Sequence, residues 1–166
     1  MNIARYLSES SIKLEMETVI EPAVDSAPVE RWRQQGKEAI LDELVTVLEN
    51  GHRVGNRSKL LVDFINREKQ ASTGIGDGIA FPHIRSMQAK DFMIGFARSK
   101  NGYDFHSPDG QPTHLFFVMA APPYDDNLYL KVFKSLSGLL QSGSIRDELM
   151  EIQSPGEVIR ILRSAV

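Results

Sequence analysis

Cysteine is absent from all 166 residues, which excludes disulfides, thiolate metal sites and a cysteine nucleophile within this chain. No apolar run approaches the roughly 20 residues a membrane-spanning helix requires. The net charge is −3 and no block of lysine and arginine stands out, so the electrostatic case for nucleic-acid binding is missing. Residues Met1 to Ser10 lack the basic start and apolar core of a signal peptide, and a cytoplasmic location is the expectation. A Gly-x-Ser-x-Gly elbow, the mark of one large class of serine hydrolases, is also absent. What remains is 42% apolar and 25% charged residues, the balance of a globular domain long enough to bury a core without covalent staples.

The apolar pattern along the chain predicts helices on both sides of a small sheet. Ile3 to Leu7 is a short amphipathic piece, followed by a candidate strand from Ile12 to Met16. From Glu21 to Gly36 the signal weakens, with Pro22, Ser26 and Pro28 as punctuation and Trp32 as its one large anchor. This stretch reads as a loop carrying at most a helical turn. Ile40, Leu41, Leu44, Val45 and Leu48 then recur at helical spacing and stop at Asn50-Gly51. A second helix starts with Asn56 as N-cap, carries Leu60, Leu61, Phe64 and Ile65, and ends near Arg67 and Glu68.

Ile79 to Phe81, Phe92 to Ala97 and Leu115 to Ala121 are apolar on both faces and read as interior strands. Asn101-Gly102 and Ser107 to Gly110 are turn signals. Toward the C-terminus, Leu130, Phe133, Leu136 and Leu140 form a stripe on one helix. Ser144 is placed to cap the next, and Ser154-Pro-Gly-Glu157 opens a last one. The fold class expected is α/β: a single layered domain with a mixed β-sheet flanked by helices on both sides.

Four histidines could carry chemistry. His52 and His106 read as exposed loop residues and His114 as a structural residue opening a strand. Their spacing suits no metal site, and no metal or other cofactor is expected. His83 follows Pro82 and a glycine-rich run, Ser72-Thr-Gly-Ile-Gly-Asp-Gly-Ile-Ala-Phe-Pro-His83. A neutral imidazole is a natural phosphoryl acceptor near neutral pH. Phosphoryl transfer needs in-line positioning and donors aimed at the phosphoryl oxygens. Backbone N–H groups at Gly74, Gly76 and Gly78, with the hydroxyls of Ser72 and Thr73, could supply the donors. Arg67 and Arg85 could balance the added charge. On spacing alone, an equally good reading is that the glycines only build a turn and His83 is a surface residue. A dinucleotide site does not fit, because the spacing is G-x-G-x-G, a helix precedes it and Pro82 follows.

Arg67-Glu68, a short spacer and the run ending at His83 resemble the signature of the fructose/mannitol-type (type 2) enzyme IIA domains of the phosphotransferase system, which include the nitrogen-regulatory IIA proteins. That family reads R-E, then S-T-G-I-G-N-G-(I/V)-A-(I/L)-P-H, and only Asp77 and Phe81 depart from it. Similarity extends from about Ala39 to the C-terminus, through Asp109-Gly-Gln-Pro112 and the closing helices. The resemblance implies that His83 accepts a phosphoryl group from the phosphocarrier HPr or a paralogue, with Arg67 beside it and Ser72, Thr73 and the loop glycines lining the pocket. It further implies transfer to a separate IIB component, or use of the phosphoryl group as a regulatory switch. The alternative is a non-transferring binding module of the same fold that controls a partner by docking. The family commonly has a second histidine where Tyr129 stands here. It also connects its first strand to its first long helix more briefly, so residues 1–166 are expected to form one such domain with an atypical inserted segment at about 18–37.

Overall fold

The computed structural model describes residues 2–26, 28–125 and 127–164. In chain order the elements are β1 (Ile12–Lys13), α1 (Val29–Gly51), α2 (Arg57–Gln70), β2 (Gly74–Gly76), β3 (Ile79–Ala80), β4 (His83–Arg85), β5 (Met93–Tyr103), β6 (Thr113–Ala121), α3 (Leu128–Leu139), α4 (Gly143–Glu151) and α5 (Pro155–Ser164). They form one mixed six-stranded sheet in the order β1-β5-β6-β3-β2, with β4 also pairing β6. β5 runs antiparallel to β6 along one edge, while β3 and then β4 run parallel to it along the other.

Both faces of β6 are buried, as its unbroken apolar run requires. Leu115, Phe117 and Met119 point into a core covered by α3, α4, α5 and the N-terminal 3₁₀ turn Ile3–Tyr6. Phe116, Val118 and Ala120 point into the other core, covered by α1 and α2. The expected α/β architecture with helices on both sides is therefore the observed one.

Several boundaries differ from the sequence reading. α1 begins at Val29, about ten residues earlier than the apolar stripe indicates. The preceding stretch, with Gln34, Gln35 and Gly36, carries no apolar stripe, so periodicity does not reveal the first three turns. Gly36 has no side chain because Ile20 lies where one would be: a Cβ there would sit 3.2 Å from the Ile20 methyl. Residues 17–21 form a strap across α1. Glu17 and Thr18 donate their N–H groups to Glu43 at 2.8 and 2.9 Å, and Trp32 Nε1 donates to the Glu21 carbonyl at 2.7 Å.

β1 is only two residues long, although Met16 still donates to the Arg98 carbonyl at 3.0 Å. Asn101-Gly102, read as a turn, lies inside β5, where Gly102 at φ +78° accompanies an irregularity between Arg98 and Tyr103. On α3, Leu130 is 56% exposed and Val132 takes the core position with Leu136. Two apolar stripes compete on this helix (Leu128, Leu130, Val132 and Phe133 are all apolar), so spacing leaves its rotation open. The N-cap of α4 is Ser142, not Ser144. α2 runs on to Gln70, and its Asn56 cap holds as expected, accepting from the Lys59 N–H at 3.1 Å.

Candidate active site

Three elements converge beside the parallel edge of β6. The last turns of α2 carry Arg67, β4 starts at His83, and the first turn of α3 carries Tyr129. They open onto one groove of ≈ 910 Å³ whose wall includes Asp63, Arg67, His83, Arg85, Met87 and Tyr129. His83 is half-buried and placed in register with Met119 of β6. One side of its ring packs on Phe133 and Tyr129, with centroids 5.2 and 5.5 Å away.

The hydrogen bond at His83 decides its chemistry. Nδ1 lies against the Phe81 carbonyl. A carbonyl can only accept, so in the neutral ring the proton resides on Nδ1 and the Nε2 lone pair is free. Burial holds the His83 pKa below its usual value; the bond to Phe81 pulls it back up, the Arg67 charge lowers it further, and the Glu68 charge raises it. The imidazole is thus neutral and nucleophilic at Nε2 near pH 7.

Arg67 is half-buried, donates Nη1 to the Ala71 carbonyl at 3.0 Å and faces the same groove. The guanidinium of Arg85 sits 5.1 Å from the centre of the Tyr129 ring, a cation–π contact. Among the described residues, neither arginine is paired with a carboxylate. Burial pushes the Tyr129 hydroxyl pKa up, partly offset by Arg67 and Arg85, so it stays protonated. A neutral nucleophile flanked by unpaired guanidinium groups suits an incoming dianion.

The comparisons with known proteins point the same way. Residues 29–165 match the family described as the phosphoenolpyruvate-dependent sugar phosphotransferase system, EIIA 2. The chain belongs to that family. The match starts at Val29, so it includes the early turns of α1 that the resemblance, counted from Ala39, left out. A fructose-specific EIIABC component from Bacillus subtilis is 37% identical over 162 residues, covering 98% of this chain and 23% of that protein. The chain thus spans less than a quarter of that relative's length. A fructose-specific EIIA component from Haloferax volcanii is 31% identical over 130 residues, covering 78% of this chain and 84% of the other. The crystal structure of nitrogen regulatory protein IIA-Ntr from Neisseria meningitidis superposes with a TM-score of 0.80 at 30% identity, covering 96% of this chain and 98% of that one.

Within this EIIA 2 fold the glycine run does different work from that expected of it. Ser72, Thr73, Gly74, Gly76 and Gly78 are not on the wall of the groove. Asp77 and Gly78, at φ +56° and +77°, make the two-residue turn joining β2 to β3. The tip of that hairpin is tied to the loop between β5 and β6, where the Asp77 backbone N–H donates to the Asp109 carboxylate at 3.0 Å. Ser72 Oγ donates to the Phe105 carbonyl at 3.1 Å, and Thr73 Oγ1 to Glu68 at 2.6 Å. These donors are committed inside the protein, so none is aimed at the His83 ring.

The remaining histidines also find places. His52, read as an exposed loop residue, is half-buried, with Nε2 against the Ile94 carbonyl at 3.1 Å. His114 Nδ1 bonds the Ser99 carbonyl at 2.9 Å, a structural role. His106 is exposed in a left-handed turn at φ +58°. Among the described residues no cluster of three or more His, Asp or Glu could hold a metal ion. The buried Lys37–Glu68 ion pair, 3.0 Å long, was missed by the sequence reading. The only hint was a lysine on an otherwise apolar helix face four residues after Arg33.

Burial lowers the pKa of both His52 and His83, which sets a pH dependence. Each group is neutral in both folded and unfolded protein above its unfolded value of about 6.5. Below that, the unfolded chain takes up the proton first, so stability is lost as pH falls from there through the lowered folded values. NMR titration of the ring protons should give midpoints below about 6.5 for both. A midpoint above that for His83 would mean a protonated, non-nucleophilic ring at the site.

Proposed function

We propose that this chain is a phosphoryl-relay domain in which His83 Nε2 accepts a phosphoryl group from phospho-HPr or a paralogue. The supporting observation is the ring's arrangement: Nδ1 tied to the Phe81 carbonyl, Nε2 free, and Arg67 on the same groove. In the transfer the Nε2 lone pair forms the new P–N bond while the bond to the donor breaks. No proton need move, because Nδ1–H stays on Phe81. The Arg67 and Arg85 guanidinium groups offset the roughly two negative charges the ring gains. Residues 18–37 are read as part of this one domain, since they supply the strap and first turns of α1.

The next acceptor is proposed to be a IIB component in a separate chain; the Bacillus subtilis relative's name places A, B and C components in one protein. Regulation by the phosphorylated state is the second route, supported by the 30% identity to a IIA-Ntr protein. Among the described residues no helix is long and apolar enough to cross a membrane. A non-transferring docking module is the second reading, motivated by one observation: a tyrosine held protonated by burial stands at position 129, where the family commonly has a second histidine.

Incubating the protein with enzyme I, HPr and radiolabelled phosphoenolpyruvate separates these readings. Base-stable, acid-labile label on the chain supports the relay; no label leaves the docking module. In the same assay Tyr129→Phe should label within about two-fold of wild type, because a phenyl face also holds a guanidinium. Tyr129→Ala should be slower by about ten-fold, the equivalent of one lost cation–π contact of 1–2 kcal/mol. Equal loss in both variants would show that the hydroxyl, not the ring, matters.

A further inference from the structure

The Lys37–Glu68 pair raises a question that stability does not answer. Both residues are only 4% exposed, and a buried ion pair is often no more stabilising than apolar residues of the same size. Its value lies in what the carboxylate holds. Glu68 Oε1 accepts the Thr73 N–H at 2.9 Å and Oε2 accepts the Thr73 hydroxyl at 2.6 Å. Both carboxylate oxygens therefore grip one residue, while Lys37 Nζ holds Oε1 from the other side at 3.0 Å. Lys37 is fixed in turn by the Phe105 ring, 5.0 Å away. Ser72 Oγ bonds the Phe105 carbonyl and receives the Gly74 N–H at 3.1 Å, so the backbone on either side of Thr73 is pinned as well.

From Thr73 the connection runs straight to the reacting ring. The Thr73 carbonyl accepts the Phe81 N–H at 3.0 Å, and the Phe81 carbonyl accepts His83 Nδ1–H. Phe81 lies in the gap between β3 and β4, before a proline that has no N–H to offer the ladder. Its N–H continues the β2–β3 pairing by donating to the Thr73 carbonyl, and this bond ties the short linker to Thr73. We propose that Lys37 and Glu68 are positioning residues for His83, acting through Thr73 and Phe81 to hold the ring in the tautomer whose Nε2 is free. The proposal rests on His83 being the phosphoryl acceptor.

Tautomer control has a direct chemical consequence. A neutral imidazole carries its proton on either nitrogen, and only the Nδ1–H form has a lone pair at Nε2 facing the groove. If the Phe81 carbonyl turns away, the Nε2–H form competes and that fraction of the protein cannot attack phosphorus. The loss falls on the transfer step, because no residue in this connection other than His83 lies on the wall of the groove.

The test uses the full chain with ¹⁵N-labelled histidine. Long-range ¹H–¹⁵N spectra report the His83 tautomer, and labelling from phospho-HPr reports transfer at limiting and saturating donor. Thr73→Val keeps the backbone N–H and the shape but removes the hydroxyl. It should raise the Nε2–H fraction and slow labelling at saturating donor by about ten-fold, as small misplacements of a reacting group do. The donor concentration for half-maximal rate should stay within about two-fold, because no groove contact is lost. Thr73→Ser should restore both the spectrum and the rate, and Glu68→Gln should behave as Thr73→Val does if the latter fails to fold. A folded Thr73→Val protein with the wild-type tautomer overturns the proposal, whether its labelling is slow or normal. Wild type that takes up no label while Thr73→Val still shifts the tautomer would sink the phosphoryl-acceptor reading and leave the positioning of the ring standing.

Discussion

A His83→Ala variant should take up no phosphoryl group, with labelling falling to background while the far-ultraviolet circular dichroism stays that of the folded protein. The alanine leaves the β4 backbone pairing to β6 intact, and its neighbour Tyr129 already borders an open groove. No other histidine among the described residues can stand in. Neither His52 nor His114 is on the wall of the groove that holds Arg67 and Arg85. His106 shares a surface hollow with Arg33, whose guanidinium is already paired with Asp104 and Glu30. Mass spectrometry of the intact protein, which needs no assumption about the labelled residue, is the cleanest check. A phosphorylated His83→Ala chain would move the site elsewhere and leave only the family and the fold.

Lys37→Met should destabilise the protein by about 3–5 kcal/mol, because removing one partner leaves a buried carboxylate uncompensated. Against a total stability of about 5–15 kcal/mol, this is the largest effect expected from any change outside the groove. Lys37 and Glu68 are each buried, and among the described residues only Thr73 and Lys37 satisfy the carboxylate. Urea denaturation followed by fluorescence of Trp32, which sits on α1 one turn before Lys37, would measure the loss. A change below about 1 kcal/mol would place the pair among solvent-screened surface ion pairs and contradict its burial. Lys37→Arg keeps the charge and should recover most of the stability.

The legible parts of the fold were those written in local periodicity. The seven consecutive apolar residues from Leu115 read as a strand covered on both faces, and Asn56 could be read as an N-cap from its place before an apolar stripe. Legibility failed where a local signal had two solutions. α3 carries two apolar stripes, and the packing of Val132 and Leu136 against the sheet chose between them. Asn101-Gly102 suits a turn or an irregular strand equally well, and pairing with β6 on both sides of it made it the latter. The start of α1 was hidden because its buried position 36 is a glycine packed on Ile20, so the apolar stripe lapses where the helix does not.

At the site, sequence by itself determined the identity and setting of the proposed phosphoryl acceptor: a histidine behind a proline, after a hydroxyl-and-glycine run, sixteen positions from an arginine on a preceding helix. Residue type dictates that chemistry, since among these side chains only a neutral imidazole offers a nitrogen lone pair near pH 7. Tertiary structure alone decided which donors were still available to a ligand. The hydroxyls of Ser72 and Thr73 look identical to phosphate ligands in a string of letters, yet one is taken by the carbonyl of residue 105 and the other by a buried carboxylate. A hydrogen-bond donor's partner is set by what the folded chain brings within about 3 Å of it, and no pattern of neighbours in sequence carries that information.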